Sequence, residues 1–274
     1  MFTLLAALLL VTGDPPSVET IMARVAENQT RAQDARKQWI YQQSVLVRLH
    51  RSNGKLAREE LRDYLVTPTP AGTEKHLRHF AGKYEQGGKL HDYNVPGFEH
   101  KNIDVDADLA KDLAEDLANE EKSKDGISYD MFPLTTKQQA KYVFTLAGKE
   151  TYRGQEVYKV TFRPRRGEED GVWTGEALID VQDFQPVMVT TGLGLKIPML
   201  VKTLLGTDVQ KLGFKLTYKK VADGVWFPAS YGGEFYVRAV FFYKRKISLS
   251  MNNTEFRKAD VASKVTFETT DKHR

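Results

Sequence analysis

The chain has 274 residues, of which 41% are hydrophobic and 11% aromatic, so it is long enough to bury a sizeable core. Lys and Arg total 40 against 36 Asp and Glu, a net charge of +4 that is too small to indicate a nucleic-acid partner. The absence of Cys excludes disulfides, thiolate metal sites, a Cys nucleophile and a lipid-modified Cys.

The first thirteen residues form an apolar run, Met1 to Gly13, about as long as the hydrophobic region of a signal peptide. The run is too short to span a bilayer, which takes about 20 helical residues. We therefore predict a signal peptide over 1–13, with a buried N-terminal segment as the alternative. Residues 14–274 are then expected to form one domain with a helical insertion at 104–124.

The first half of the chain predicts two helices and three strands. Ile21, Met22 and Val25 recur at helical spacing, and the pattern changes to alternation from Trp39. The predicted elements are a helix over 17–35, strands over 39–49, 61–66 and 73–80 with a turn at 52–55, a long Gly-rich loop over 82–102, and a helix over 104–121.

The second half predicts a series of short antiparallel strands. Runs such as Tyr158, Val160 and Phe162 alternate with polar residues. Turns are predicted at Arg153-Gly154, Asp223-Gly224 and Gly232-Gly233. The pattern indicates a mainly β protein with a few helices, whose strands form one antiparallel sheet, a sandwich or a barrel.

Two apolar features indicate a binding surface. One predicted strand face is large and apolar and contains Phe214, Leu216, Tyr218, Phe235, Val237 and Phe241. The connection over 192–206 is also apolar, although most connections are polar. It must fill a concave sheet, contact a partner or lie on a membrane, unless it is simply a short core helix.

The motifs of catalysis and metal binding are missing from the sequence. It has no Gly-x-Ser-x-Gly elbow, no phosphate-binding loop and no His-Glu-x-x-His helix. Asp104, Asp106 and Asp108 match the first positions of a calcium loop, but Leu109 stands where that loop needs Gly. We predict no catalytic residues, no metal site and no cofactor.

Charge is segregated along the chain. The helix predicted over 104–121 has eight acidic residues and one basic residue. This helix is expected either to dock on the basic remainder of the protein or to contact a partner. Basic clusters at Arg163, Arg165, Arg166 and at Lys244, Arg245, Lys246 suit solvated strand ends or contact with lipid head groups.

Several short motifs resemble one known family. Ala177-Leu178-Ile179-Asp180, followed by Asp183-Phe184-Gln185-Pro186-Val187, resembles the strand–turn–strand signature of the LolA/LolB-like periplasmic lipoprotein-carrier superfamily. Asp223 to Pro228 and Ser248 to Phe256 resemble later strands of the same group. The resemblance implies a half-open, incomplete β-barrel made of one curved sheet, with helices covering its concave side.

The resemblance also implies a function without catalysis. We expect a carrier or chaperone of the cell envelope, located in the periplasm, that binds lipid or lipoprotein acyl chains in a hydrophobic cavity and has a role in outer membrane biogenesis. The predicted cavity residues are Val45, Val160, Phe162, Leu178, Phe214, Leu216, Phe235, Val237 and Phe241. The predicted lid or plug residues are Leu195, Ile197, Met199, Leu200 and Leu204.

The expected partners are a lipid or an acylated protein, with transient membrane contact and no nucleic acid. An alternative is an envelope sensor or scaffold domain that binds another protein through the acidic helix 104–121. A hydrolase with an unrecognised site is the third possibility, and no motif in the sequence supports it.

Overall fold

The computed structural model describes residues 16–69, 72–118, 133–167, 173–193, 208–210, 213–239 and 243–259. The predicted signal peptide and the predicted lid residues lie outside these ranges. The helices are α1 (Val18–Arg36), α2 (Val105–Ala118) and α3 (Thr136–Gln139). The strands are β1 (Trp39–His50), β2 (Leu56–Thr69), β3 (Gly72–Gln86), β4 (Lys89–Tyr93), β5 (Tyr142–Tyr152), β6 (Gln155–Pro164), β7 (Trp173–Asp180), β8 (Pro186–Leu193), β9 (Asp208–Gln210), β10 (Gly213–Ala222), β11 (Val225–Ala239) and β12 (Tyr243–Lys258).

The strands form one curved antiparallel sheet in the order β4-β3-β2-β1-β12-β11-β10-β8-β7-β6-β5, and β9 pairs with the far end of β11. Most neighbours are joined by short turns, and β1 pairs with β12, so the first and last strands that the structure describes are neighbours in the sheet. In the described residues β4 and β5 do not pair with each other. The predicted open, mainly β half-barrel with helices on one side is therefore confirmed.

Helix α1 begins where the sequence predicts. The Ser17 side chain accepts a hydrogen bond from the Thr20 backbone N–H at 3.2 Å, so it caps the first turn. Ile21, Met22 and Val25 are buried on one side of the helix, as their spacing indicates. Helix α1 contacts β11 and β5, and α2 contacts β1 and β2, so the two helices cover different parts of the same sheet face.

Two predictions of local structure were wrong. The region predicted as a loop over 82–102 contains the end of β3, a turn at Gly87-Gly88 and β4. Its glycine at position 82 is a packing site: a Cβ there would lie 2.2 Å from the Tyr93 ring. The sequence of this part of the sheet is polar because β4 is largely exposed, which is why composition alone predicts a loop here.

The predicted turn at Gly232-Gly233 is instead the middle of β11. A Cβ on Gly233 would lie 2.3 Å from the Gly213 carbonyl oxygen and 2.6 Å from the Phe214 ring. Glycine is needed here because a neighbouring backbone and an aromatic ring approach the strand closely. The turns predicted at Arg153-Gly154 and Asp223-Gly224 are confirmed.

Candidate functional site

The candidate site is the sheet face beneath α1 and α2, which we call the concave face. The main apolar cluster combines residues of both helices with residues of β1, β5, β6, β7, β8, β10, β11 and β12. Each strand contributes alternate side chains, because successive side chains of a strand point to opposite faces. The helices supply Val25, Leu109 and Leu113 among others.

Seven of the nine predicted cavity residues lie together on this face. They are Val45, Val160, Phe162, Phe214, Leu216, Phe235 and Val237, and none is more than 7% exposed. Phe241 lies outside the described residues. These seven residues therefore lie together as one set, and in this conformation the helices and neighbouring side chains cover them.

Leu178 packs on the opposite face of the sheet, in a smaller cluster with Val157, Val187, Met188 and Trp226. The reason is strand alternation: Ala177 and Ile179 of β7 belong to the concave cluster, so the residue between them points away from it. Leu178 is fully buried in that smaller cluster.

Four aromatic rings pack together on the concave face. Two of them, Phe214 and Phe235, were predicted as cavity residues, whereas Trp173 and Tyr231 were not. The Phe214 ring stacks on Tyr231 at 5.2 Å between centroids and meets Trp173 edge-on at 5.7 Å. Phe235 lies 6.2 Å from Phe214. Burial raises the pKa of Tyr231 well above its usual value near 10, so this phenol is neutral at physiological pH. Trp173 and Tyr231 continue the alternation of their strands, and that signal could have identified them.

The concave face becomes charged on β2, which the sequence analysis missed. Leu49, Val47 and Val45 pair directly with Arg58, Glu60 and Arg62 across the β1–β2 ladder. Directly paired residues share a face, so these charged residues continue the apolar lining. Arg58 and Glu60 are fully buried, and Arg62 is 5% exposed.

Each buried charge on β2 has a partner of opposite sign. The Arg58 guanidinium donates to Glu60 at 3.2 Å, to Asp104 at 3.1 Å and to the Phe98 carbonyl. Arg62 donates to the other oxygen of Glu60 at 2.8 Å, and the Tyr93 hydroxyl donates to Glu60 at 2.7 Å. Burial, followed by the adjacent Glu60 carboxylate, raises the pKa of Tyr93 above its usual value.

Asp104 connects this charged group to α2. Its Oδ1 accepts from the Ala107 backbone N–H at 3.2 Å and so caps the helix, while its Oδ2 contacts His100 Nδ1 at 2.6 Å. Burial alone would raise the pKa of Asp104. The backbone hydrogen bonds and the charge of Arg58 outweigh burial and lower that pKa below its usual value near 3.8.

Asp106, in the first turn of α2, binds β12, which lies two strands away from β2 in the sheet. Asp106 accepts from Arg245 Nε at 2.7 Å, from Arg245 Nη2 at 2.8 Å and from the Tyr243 hydroxyl at 2.7 Å. Of the two roles left open for the acidic helix, docking on the basic body is therefore observed for Asp104 and Asp106. Asp108, Asp112 and Glu115 remain exposed on the outer side of α2.

Helix α1 is held by polar contacts to the β7–β8 turn and to the start of β11, after the β10–β11 turn. Asn28 donates to the Asp183 carbonyl at 2.7 Å, and the buried Gln29 donates to Gln185 at 2.7 Å. Arg36 donates to the Trp226 carbonyl at 2.8 Å. The cover of the concave face thus consists of α1, which is fixed at several points along its length, and α2, which is fixed through two acidic residues at its N-terminal end.

The described residues contain no group of three or more His, Asp or Glu side chains that could hold a metal ion. None of the described helices is long and apolar enough to cross a membrane. The concave face therefore combines an apolar surface with a group of buried charges, in which Arg58 and Arg62 are balanced by Glu60 and Asp104.

Comparison with known proteins gives structural matches only. No protein-family model matches the chain, and no curated protein matches it significantly. Solved structures that it resembles include a candidate outer membrane lipoprotein-sorting protein domain from Vibrio parahaemolyticus, at 12% identity and a TM-score of 0.41 over 90% of this chain and 95% of that one.

The same superfamily named from the sequence motifs recurs among these structures. A LolA superfamily protein from Nitrosomonas europaea matches at 8% identity and a TM-score of 0.33, over 90% of this chain and 96% of that one. MucB of Pseudomonas aeruginosa in complex with MucA matches at 10% identity and a TM-score of 0.22, over 86% of this chain and 99% of that one. Similarity at this level does not identify a ligand or partner for this chain.

Proposed function

We propose that this protein is a non-enzymatic carrier or chaperone of the cell envelope, located in the periplasm, that binds acyl chains of lipids or lipoproteins against its concave face. The observation that carries the proposal is the size and continuity of that face: apolar side chains from eight strands and two helices form one cluster. An acyl chain would gain about 25 cal/mol for each Å² of apolar surface removed from water.

Ligand entry requires movement of the cover, because the lining is buried in this conformation. Helix α2 is the element we expect to move. Its packing on the sheet rests on Leu109, Ala110, Leu113 and Ala114, together with the ion pairs of Asp104 and Asp106. The apolar face left by this movement would contact the ligand in place of the helix.

Dependence of affinity on chain length tests this proposal. We expect affinity for the series from decanol to tetradecanol to rise about fourfold for each added methylene, because burying one contributes about 0.8 kcal/mol. Calorimetric titration of delipidated protein, below the solubility limit of each alcohol, measures the slope. A flat series would mean that the face does not take up chains.

A second candidate function is binding of another envelope protein through α2. The observation in its favour is the exposed row of Asp108, Asp112 and Glu115, which takes no part in docking the helix on the sheet. Such a row would suit a basic partner surface. In that case the concave face would serve only as the core.

A further inference from the structure

Two buried polar atoms of the concave face, Gln43 Oε1 and Arg62 Nε, have no hydrogen-bond partner in the part of the chain that the structure describes. Gln43 is 1% exposed and Arg62 is 5% exposed. Buried polar atoms are nearly always paired, because an unpaired one gives up its hydrogen bonds to water and gains nothing in return. Each of these two atoms therefore needs a partner that the described residues do not supply.

The two atoms belong to neighbouring strands and lie beside the apolar lining. Arg62 of β2 is the direct ladder partner of Val45, and Gln43 precedes Val45 by two residues on the same buried face of β1. Val45 belongs to the concave cluster. Gln43 and Arg62 are therefore diagonal neighbours, which start about 7–8 Å apart or less and remain within reach of long side chains. One small group above Val45 could contact both.

The neighbouring strand β12 fixes which atom of the Gln43 amide is left unpaired. Asn253 is the direct partner of Gln43 in the β1–β12 ladder, and its Nδ2 donates to the Pro228 carbonyl at 3.0 Å. Asn253 must then present its Oδ1 to Gln43, and Gln43 Nε2 donates to that oxygen at 3.0 Å. Exchanging the oxygen and nitrogen of Gln43 would bring two oxygens together. The unpaired atom is therefore an acceptor that needs a donor.

The unpaired atom of Arg62 is a donor, and it is held in place. Arg62 Nη2 donates to Glu60 at 2.8 Å, and the guanidinium is planar, so this contact also orients Nε. The positive charges of Arg58 and Arg62 are balanced by the carboxylates of Glu60 and Asp104. An anion is therefore not needed here, and a neutral acceptor suits Arg62 Nε.

We propose that Gln43 and Arg62 bind the head group of the ligand and that this head group is a neutral secondary amide. Its N–H donates to Gln43 Oε1, and its carbonyl oxygen accepts from Arg62 Nε. A trans amide carries its donor and its acceptor on opposite sides, which suits two sites on different strands. An ester or a carboxylate has no hydrogen to donate to Gln43.

This inference rests on the proposed function, since it assigns the head group of the ligand whose acyl chain lies on the concave face. Val45 is the residue at which the two parts of the site meet: it lines the apolar face, and it lies between Gln43 and Arg62. The carrier is then selective for acyl chains in amide linkage over the same chains in ester linkage.

Two probes of the same size and shape, N-methyldecanamide and methyl decanoate, differ only in an N–H group that replaces an oxygen. Calorimetric titration of delipidated protein, below the solubility limit of each probe, compares their affinities. The test variant is Gln43→Met, because Met has the length of Gln without its amide and still covers Asn253. The control is Gln42→Met, at the adjacent exposed glutamine, whose side chain contacts Glu255.

We expect the unaltered protein and the control variant to bind the amide about tenfold more tightly than the ester, because the ester leaves Gln43 Oε1 unpaired and places a second oxygen beside it. On an apolar surface alone the order is reversed, since an amide loses more hydrogen bonding to water on burial. Gln43→Met is therefore expected to prefer the ester. An ester preference in the unaltered protein, which depends on neither variant, or an amide preference retained by Gln43→Met, would overturn the inference.

The proposed function fails separately, since it predicts that both probes bind whichever is preferred. If neither binds, the proposed function fails. If both bind and the ester is favoured, only the amide site fails. An N-decanoyl tripeptide distinguishes the source of the amide: affinity equal to that of N-methyldecanamide indicates the acylated N-terminus of a protein, and weaker binding indicates a lipid with a small amide head group.

Discussion

Replacing Arg58 with Met is expected to lower the free energy of unfolding by about 3–5 kcal/mol, because it leaves two buried carboxylates short of their cation. Arg58 is fully buried and contacts both Glu60 and Asp104. Asp104 also caps α2, so the loss is expected to loosen this helix as well. Urea unfolding followed by circular dichroism measures the change.

Arg48→Met is the matched control for this prediction. Arg48 lies on the neighbouring strand and pairs with Glu59 at 2.5 Å, but its side chain is 44% exposed. An exposed ion pair contributes at most about 1 kcal/mol, so this variant should unfold close to the unaltered protein. Equal effects of the two substitutions would mean that the charges on β2 are solvated and do not belong to the concave face.

Phe235→Ala is expected to lower the free energy of unfolding by about 3–5 kcal/mol, because it removes a large buried ring and leaves a cavity. Phe235 is 1% exposed and lies in the centre of the concave cluster beside Phe214. The same urea titration detects the loss. A smaller effect would show that the cluster collapses easily around the missing ring.

The adjacent residue provides the control for Phe235. Tyr236 is of similar size but points to the other face and is 43% exposed. Tyr236→Ala should therefore change the free energy of unfolding by about 0.5 kcal/mol or less, as surface substitutions usually do. If the two alanine variants were equally unstable, both faces of β11 would be core.

Alternation of apolar and polar residues was enough to predict most of the strands and most of the candidate lining. Val160 and Phe162 alternate with exposed residues of β6, and the structure buries them as the pattern indicates. Helix α1 was predictable for the same kind of reason, since its spacing and its Ser17 cap agree. Each of these signals is local and depends on one strand or one helix.

The charged part of the concave face could not be predicted in this way. In β2 the alternating set Arg58, Glu60 and Arg62 looks like a solvated face, yet it is the buried one. Its burial depends on partners distant in sequence, above all Asp104, which lies 46 residues from Arg58. Local patterns carry no information about such pairs.

The glycines of β11 were misread for a related reason. Gly232-Gly233 is a turn signal by composition, but the strand uses Gly233 to let Phe214 approach. That need arises from a residue on the adjacent strand. Leu178 is the converse case, because a local signal was sufficient there. It was predicted as a cavity residue, although alternation along β7 places it on the face opposite to Ala177 and Ile179.

The central claim is that an acyl chain lies against the concave face, and the tryptophans allow a direct measurement. Trp173 belongs to the concave cluster and Trp226 to the cluster on the opposite face, and they are 4% and 3% exposed. Two variants each retain one of them: Trp39→Phe with Trp226→Phe, and Trp39→Phe with Trp173→Phe. Bromine on a lipid acyl chain quenches tryptophan fluorescence only near contact. We predict that a brominated lipid quenches Trp173 in the first variant and leaves Trp226 in the second largely unquenched, whereas equal quenching of both, or quenching of Trp226 alone, would contradict the proposed site.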